Sequence, residues 1–219
     1  MLKRKKTKAS RVTSYSGLYI INNMKVIIVL LVMFSVQGCR NNSPQITSAA
    51  VPLTVKLLPL GGIDDRWVAD LYKQLKTYHA RVELLPAEKL PVAAWYAPRS
   101  RYRADSIIRW LQSRAADNEV YLAITAADIS TNKGTIEDFG IMGLGYCPGR
   151  ACVASVYRLK NKNNFYKVAL HELAHTTGLP HCPDKTCYLR DAEGGDPTAE
   201  ENSFCEKCTA YLQQNGWKF

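Results

Sequence analysis

The chain has 219 residues, 47% hydrophobic and 22% charged, enough for one sizeable domain with a true core. Its net charge of +10 points towards nucleic acid until the charge is located. Seven of the 29 basic residues lie in residues 1–38, which hold no acid; the other 22 face 19 acids, so no nucleic-acid partner is expected.

In chain order, residues 1–38 read as a signal segment, with Met24 an alternative start. Met24-Lys25 precedes the apolar run VIIVLLVMFSV (26–36), the length of a signal-peptide core and too short to cross a bilayer. Gln37-Gly38-Cys39 follows. A small residue before a cysteine resembles a bacterial lipobox, with Val36 at −3 and Cys39 as lipid acceptor, although Gln37 fits loosely. An ordinary signal peptide followed by a chance cysteine is the competing reading. Residues 39–52 are polar and read as a tether. The expected product is an exported bacterial lipoprotein of the cell envelope, monomeric and held to the membrane by its lipid.

Residues 53–219 read as the working domain. LTVKLLPL (53–60) has strand character, and Asp64 or Asp65 can cap a helix reaching Tyr78. RVELLP (81–86) is a second strand, and Tyr102 to Ala116 forms an amphipathic segment. EVYLAITAADIS (119–130), FGIMGLGY (139–146) and ACVASVYRL (151–159) read as three more strands, the last two joined at Pro148-Gly149. A helix is expected from Phe165 to Thr177 and another over 199–214, with Thr198 or Asn202 as caps. This order predicts an α/β (α+β) fold around a mixed, mostly parallel twisted sheet. No glycine-rich phosphate loop follows any strand, so no nucleotide site is expected.

HELAHTTGLPH (171–181) carries three of the four histidines. His171 and His175, four apart on a helix, share one face and suit a single tetrahedral zinc. Gly178 permits the turn that brings His181 to the same metal. Three histidines leave a fourth position open, the arrangement of a catalytic zinc. Glu172, beside the first ligand, can act on a metal-activated water as general acid/base, which leads to peptide-bond hydrolysis.

Four of the seven cysteines follow a second pattern. Cys182 and Cys187 (CxxxxC) with Cys205 and Cys208 (CxxC) have the spacing of a four-thiolate structural zinc. Disulfides are the competing reading for an exported chain. Cys147 and Cys152 flank the Pro148-Gly149 turn and could close a hairpin disulfide or stay as thiols.

On these motifs the chain resembles the archaemetzincin family of metzincin-like metallopeptidases, whose hallmark is HExxHxxGxxH running into CxxxxC, a methionine and CxxC. The likeness covers residues 53–219, with weaker echoes at Ile124–Asp128 and Ser155–Leu159. It implies a peptidase with two zinc ions: a catalytic one on His171, His175 and His181, and a structural one on Cys182, Cys187, Cys205 and Cys208 that staples a C-terminal subdomain. It also implies that the FGIMGLGY strand edges the cleft and pairs with extended substrate. Two departures stand out. Leu189 occupies the place of the family's methionine, the apolar floor beneath the metal, and the stretch from there to CxxC is about two residues short. Leucine is apolar and similar in volume, so Leu189 is expected to serve as a substitute floor. His79 reads as a surface or capping residue, Asp128 as structural, and Tyr157 and Tyr188 as core aromatics. A non-catalytic, zinc-stabilised surface module that binds peptides or a protein is the alternative function.

Overall fold

The computed structural model describes residues 53–219. The signal segment, the lipobox with Cys39 and the tether therefore lie outside the described residues. Four α-helices and nine strands follow in chain order. β1 (Thr54–Leu60), α1 (Asp65–Tyr78) and β2 (Arg81–Leu84) form the first unit. The Asp64 side chain accepts from the Arg66 N–H and caps α1, whose Val68, Leu71 and Leu75 are buried at helical spacing. β3 (Trp95–Tyr96), β4 (Arg101–Arg103) and α2 (Ala104–Gln112) come next. After them run β5 (Glu119–Thr125), β6 (Ile129–Lys133), β7 (Ile136–Ile141), β8 (Gly143–Gly145) and β9 (Ala151–Ser155). α3 (Phe165–Thr176) and α4 (Glu206–Gln214) complete the chain.

The main sheet has the order β2-β1-β5-β9-β8. Its first four strands run parallel and β8 pairs antiparallel with β9 at the edge, as the mixed, mostly parallel expectation required. β1 and β5 are buried on both faces, which explains their nearly unbroken apolar runs. On one face Leu57, Leu122 and Ile124 meet Leu71, Leu75, Leu170 and Leu173 of α1 and α3. On the other, Leu58, Leu60 and Val153 meet Ile107, Ile108 and Leu111 of α2.

Three expectations need correction. The run 119–130 is not one strand: it breaks after Thr125, and β6 joins a separate sheet of order β3-β4-β6-β7. The run 139–146 is likewise shared, its first part closing β7 and its second forming β8 in the main sheet. The last helix starts at Glu206 with Cys205 at its N-cap, rather than at 199 with Thr198 or Asn202 as cap, because the backbone before it is tied to the cysteine loop: Asn202 N–H donates to Thr186 O (2.8 Å) and Ser203 O accepts from Tyr188 N–H (2.9 Å).

His79 is also not a surface residue. It ends α1, its N–H reaching the Leu75 carbonyl at 2.8 Å, but its ring is buried against Trp217 with centroids 4.3 Å apart. Tyr188 is buried as expected, whereas Tyr157 is exposed and packs in neither core. Asp128 is structural, clasped by Arg158 through two hydrogen bonds and by Arg101 at 3.1 Å. Among the described residues no helix is long and apolar enough to cross a membrane.

Candidate metal centres

α3 carries His171, Glu172 and His175 against the main sheet and stops where Gly178 adopts φ +99°, a left-handed conformation that suits glycine. Tyr211 of α4 donates to the Thr177 carbonyl at 3.0 Å and pins this helix end. The chain then turns back to present His181. The ring centroids of His181 lie 5.3 Å from His171 and 4.9 Å from His175. One nitrogen from each of the three rings falls within 4.8 Å of the others.

The outer nitrogens fix the inner ones. Nδ1 of His171 lies 2.6 Å from the Tyr188 carbonyl, and Nδ1 of His175 lies 2.6 Å from the Leu179 carbonyl. A carbonyl only accepts, so each Nδ1 carries the proton and each Nε2 bears a lone pair. Those two Nε2 atoms face each other at 3.0 Å, with no proton available to either. Two lone pairs held so close call for a cation, and a borderline-soft ion bound by imidazoles, such as zinc, fits this donor set. His181 Nδ1 stands 3.6 Å from an Asp191 carboxylate oxygen, too far for a hydrogen bond.

Burial sets the electrostatics. It pushes His171 down to about 3, with neighbouring His175 adding to the effect, and lowers His175 as well. Both imidazoles are therefore neutral near pH 7, the form that binds metal. Burial also pushes the Glu172 carboxyl up to about 8, with the Gly145 N–H opposing. β8 approaches this residue so closely that no side chain fits at its two glycines. A Cβ on Gly143 would stand 2.5 Å from the Glu172 carboxylate, and one on Gly145 would stand 2.4 Å from the Glu172 carbonyl oxygen. The two glycines of GLG thus let the edge strand lie directly over the helix turn that bears the acid.

A cleft of about 550 Å³ opens beside these groups, lined by His171, Glu172, His181 and the Phe139–Gly143 stretch. β7 and β8 are the outer strands of their sheets, so the expected edge of the cleft is where the sequence placed it.

The four C-terminal cysteines also converge. Their sulfurs lie within 4.8 Å of one another, with Cys182 and Cys205 3.7 Å apart. Cys187 Sγ accepts from the N–H groups of Leu189 (3.5 Å) and Cys205 (3.4 Å), and Cys205 stands at the N-cap of α4 with Cys208 in its first turn. All six cysteines among the described residues are free thiols, so neither disulfide reading is present. Cys147 is exposed and Cys152 buried.

One loop serves both clusters. Cys182 N–H donates to Leu189 O at 2.8 Å, Tyr188 offers its carbonyl to His171, and Leu189 is fully buried between these contacts. Three residues here escaped the sequence reading. Lys167 precedes His171 by four and so sits on the same helical stripe, a signal that was available. Asp191 and Glu201 carry no local signal, since each owes its place to the path of the loop.

The family model for peptidase family M54 matches residues 65–214. An archaemetzincin from Methanopyrus kandleri is 31% identical over 134 residues, spanning 58% of this chain and 74% of that relative. One from Archaeoglobus fulgidus is 31% identical over 145 residues, spanning 63% and 85%. The crystal structure of the Methanopyrus kandleri archaemetzincin superposes with a TM-score of 0.64 at 26% identity, covering 75% of this chain and 95% of that one.

Proposed function

Because this chain belongs to peptidase family M54, the archaemetzincins, and is a zinc metallopeptidase acting on peptides, we propose that Glu172 is its general base. His171, His175 and His181 hold the catalytic zinc in this reading. The supporting observation is the pair of imidazole Nε2 atoms 3.0 Å apart, each with its Nδ1 already committed to a carbonyl. Zinc at that point supplies Lewis acidity, making water acidic and a peptide carbonyl electrophilic. The protein's own groups do the rest. Glu172 takes the proton of the attacking water on its carboxylate and returns it to the leaving amine nitrogen. The outer strands β7 and β8 hold the substrate backbone extended by adding it to a sheet edge. Asp191 stands beside His181, and Leu189 closes the apolar floor.

Cys182, Cys187, Cys205 and Cys208 hold a second, structural zinc in the same reading, supported by their convergence and by the N–H groups aimed at Cys187. The protein is proposed to act as an exported monomer, anchored through lipid on Cys39. The mass of the mature N-terminus tests the anchor, and an unmodified Cys39 rules it out.

Glu172→Gln tests the mechanism. Turnover of a peptide library should fall by roughly 10²–10⁴-fold with zinc content unchanged. Turnover close to that of the unaltered protein would remove Glu172 from the role.

A further inference from the structure

The cleft lining holds a carboxylate that the mechanism does not use. Glu201 is only 4% exposed, yet it lines the cleft. Among the described residues no donor hydrogen-bonds its carboxylate and no cation stands within ion-pair distance of it. The residue is nearly buried but its carboxylate oxygens stay open to the cleft, and carboxylates so placed are ordinarily paired. Lys167 and Arg190 act on it only from beyond ion-pair distance. Lys167 Nζ donates to the backbone carbonyls of Thr198 and Glu201, both at 2.7 Å. Arg190 pairs with Glu200 at 2.6 Å, and Arg158 is held by Asp128. The two Lys167 bonds also clamp the 198–201 stretch onto α3, so Glu201 is set on a fixed backbone rather than a loose loop.

Its position relative to the reaction centre is suited to a substrate side chain. Val168 and Glu172 both line the cleft and lie about one helical turn apart, about 6 Å along α3. Glu201 belongs to the cleft wall on the same lining, together with Thr198. A long side chain from a residue next to the scissile bond can span that turn.

Building on the peptidase reading, we propose that Glu201 is a specificity residue that receives a cationic side chain, arginine or lysine, of the peptide substrate. The incoming cation supplies the direct contact that Lys167 and Arg190 do not make. Burial keeps the site selective: it raises the Glu201 carboxyl to about 7, and a bound cation favours the ionised form.

The test is calorimetric binding to the Glu172→Gln protein, which keeps its peptides intact. The probes are short peptides in which one arginine, or its neutral isostere citrulline, is moved along the sequence. At one position the arginine peptide should bind roughly ten-fold tighter than its citrulline twin. Adding Glu201→Gln should bring that ratio close to one while leaving the citrulline affinity unchanged. Equal binding of the twins at every position in the Glu201-containing protein overturns the proposal without reliance on any further variant. So does a ratio that survives Glu201→Gln in a variant that unfolds as a normal folded protein. Failure of the peptidase reading shows separately, as absence of cleavage of these peptides by the unaltered protein.

Discussion

His181 and Cys182 are neighbours in the chain, yet they belong to clusters built on opposite plans. The His181 side chain is 48% exposed and faces a cleft, whereas Cys187 and Cys208 on the cysteine side are buried. The histidine cluster presents three donors and an open side, the condition for substrate to enter. The cysteine cluster presents four donors and closes on itself, the condition for stiffness. The loop between them does the joining: Tyr188 orients His171, and Cys182 holds Leu189. The contrast teaches that a rigid closed site can position an open one without sharing its chemistry.

The largest expected effect lies on the closed side. Cys187→Ser should remove one zinc per chain and lower the Tm by roughly 10 °C, since a structural metal contributes folding free energy directly. Thermal unfolding with parallel metal analysis checks this. A variant with both zincs and an unchanged Tm breaks the comparison between a structural and a catalytic cluster.

His79 sharpens the contrast from outside both clusters. It is as buried as His175, but among the described residues its Nε2 has no hydrogen-bond partner, and its ring packs on Trp217. Burial alone pushes it down to about 4 from the usual 6.5. Below pH 6.5 the unfolded chain therefore takes up a proton that the folded chain refuses until about pH 4. Stability should fall with pH across that window by about 3 kcal/mol, an order-of-magnitude figure. Urea unfolding at pH 7 and pH 4 measures the loss, and His79→Leu should reduce it, the lowered His171 and His175 leaving the remainder. An acid slope unchanged by that substitution refutes the assignment.

The smallest effect is expected at the seam. Leu189 is fully buried, and Leu189→Met conserves volume, so stability should change by less than about 1.5 kcal/mol with both zincs retained. A loss of zinc from the histidine cluster, read by metal analysis, would show that the floor demands more than apolar bulk.

Much of this was legible in the sequence because it is local. The spacing of His171, Glu172 and His175 on α3, the stop at Gly178 and the two cysteine pairs are periodicities and turn signals within a few residues. What was not legible depends on distant partners. The AAD stretch at 126–128 carries no strong breaker, so the apolar run 119–130 hid the departure of β6 into a second sheet. His79 is buried by Trp217, 138 residues further on. Glu201 sits in a polar run that reads as an exposed helix start, and only the clamp from Lys167 turns it inward.

Zinc stoichiometry of the purified protein and its His175→Ala variant tests the central claim most directly. Two zincs per chain should fall to one in the variant, with peptide cleavage lost and the cooperative fold retained through the cysteine cluster. One zinc in the unaltered protein, or loss of both on His175→Ala, would contradict the account of an open catalytic site held by an independent closed one.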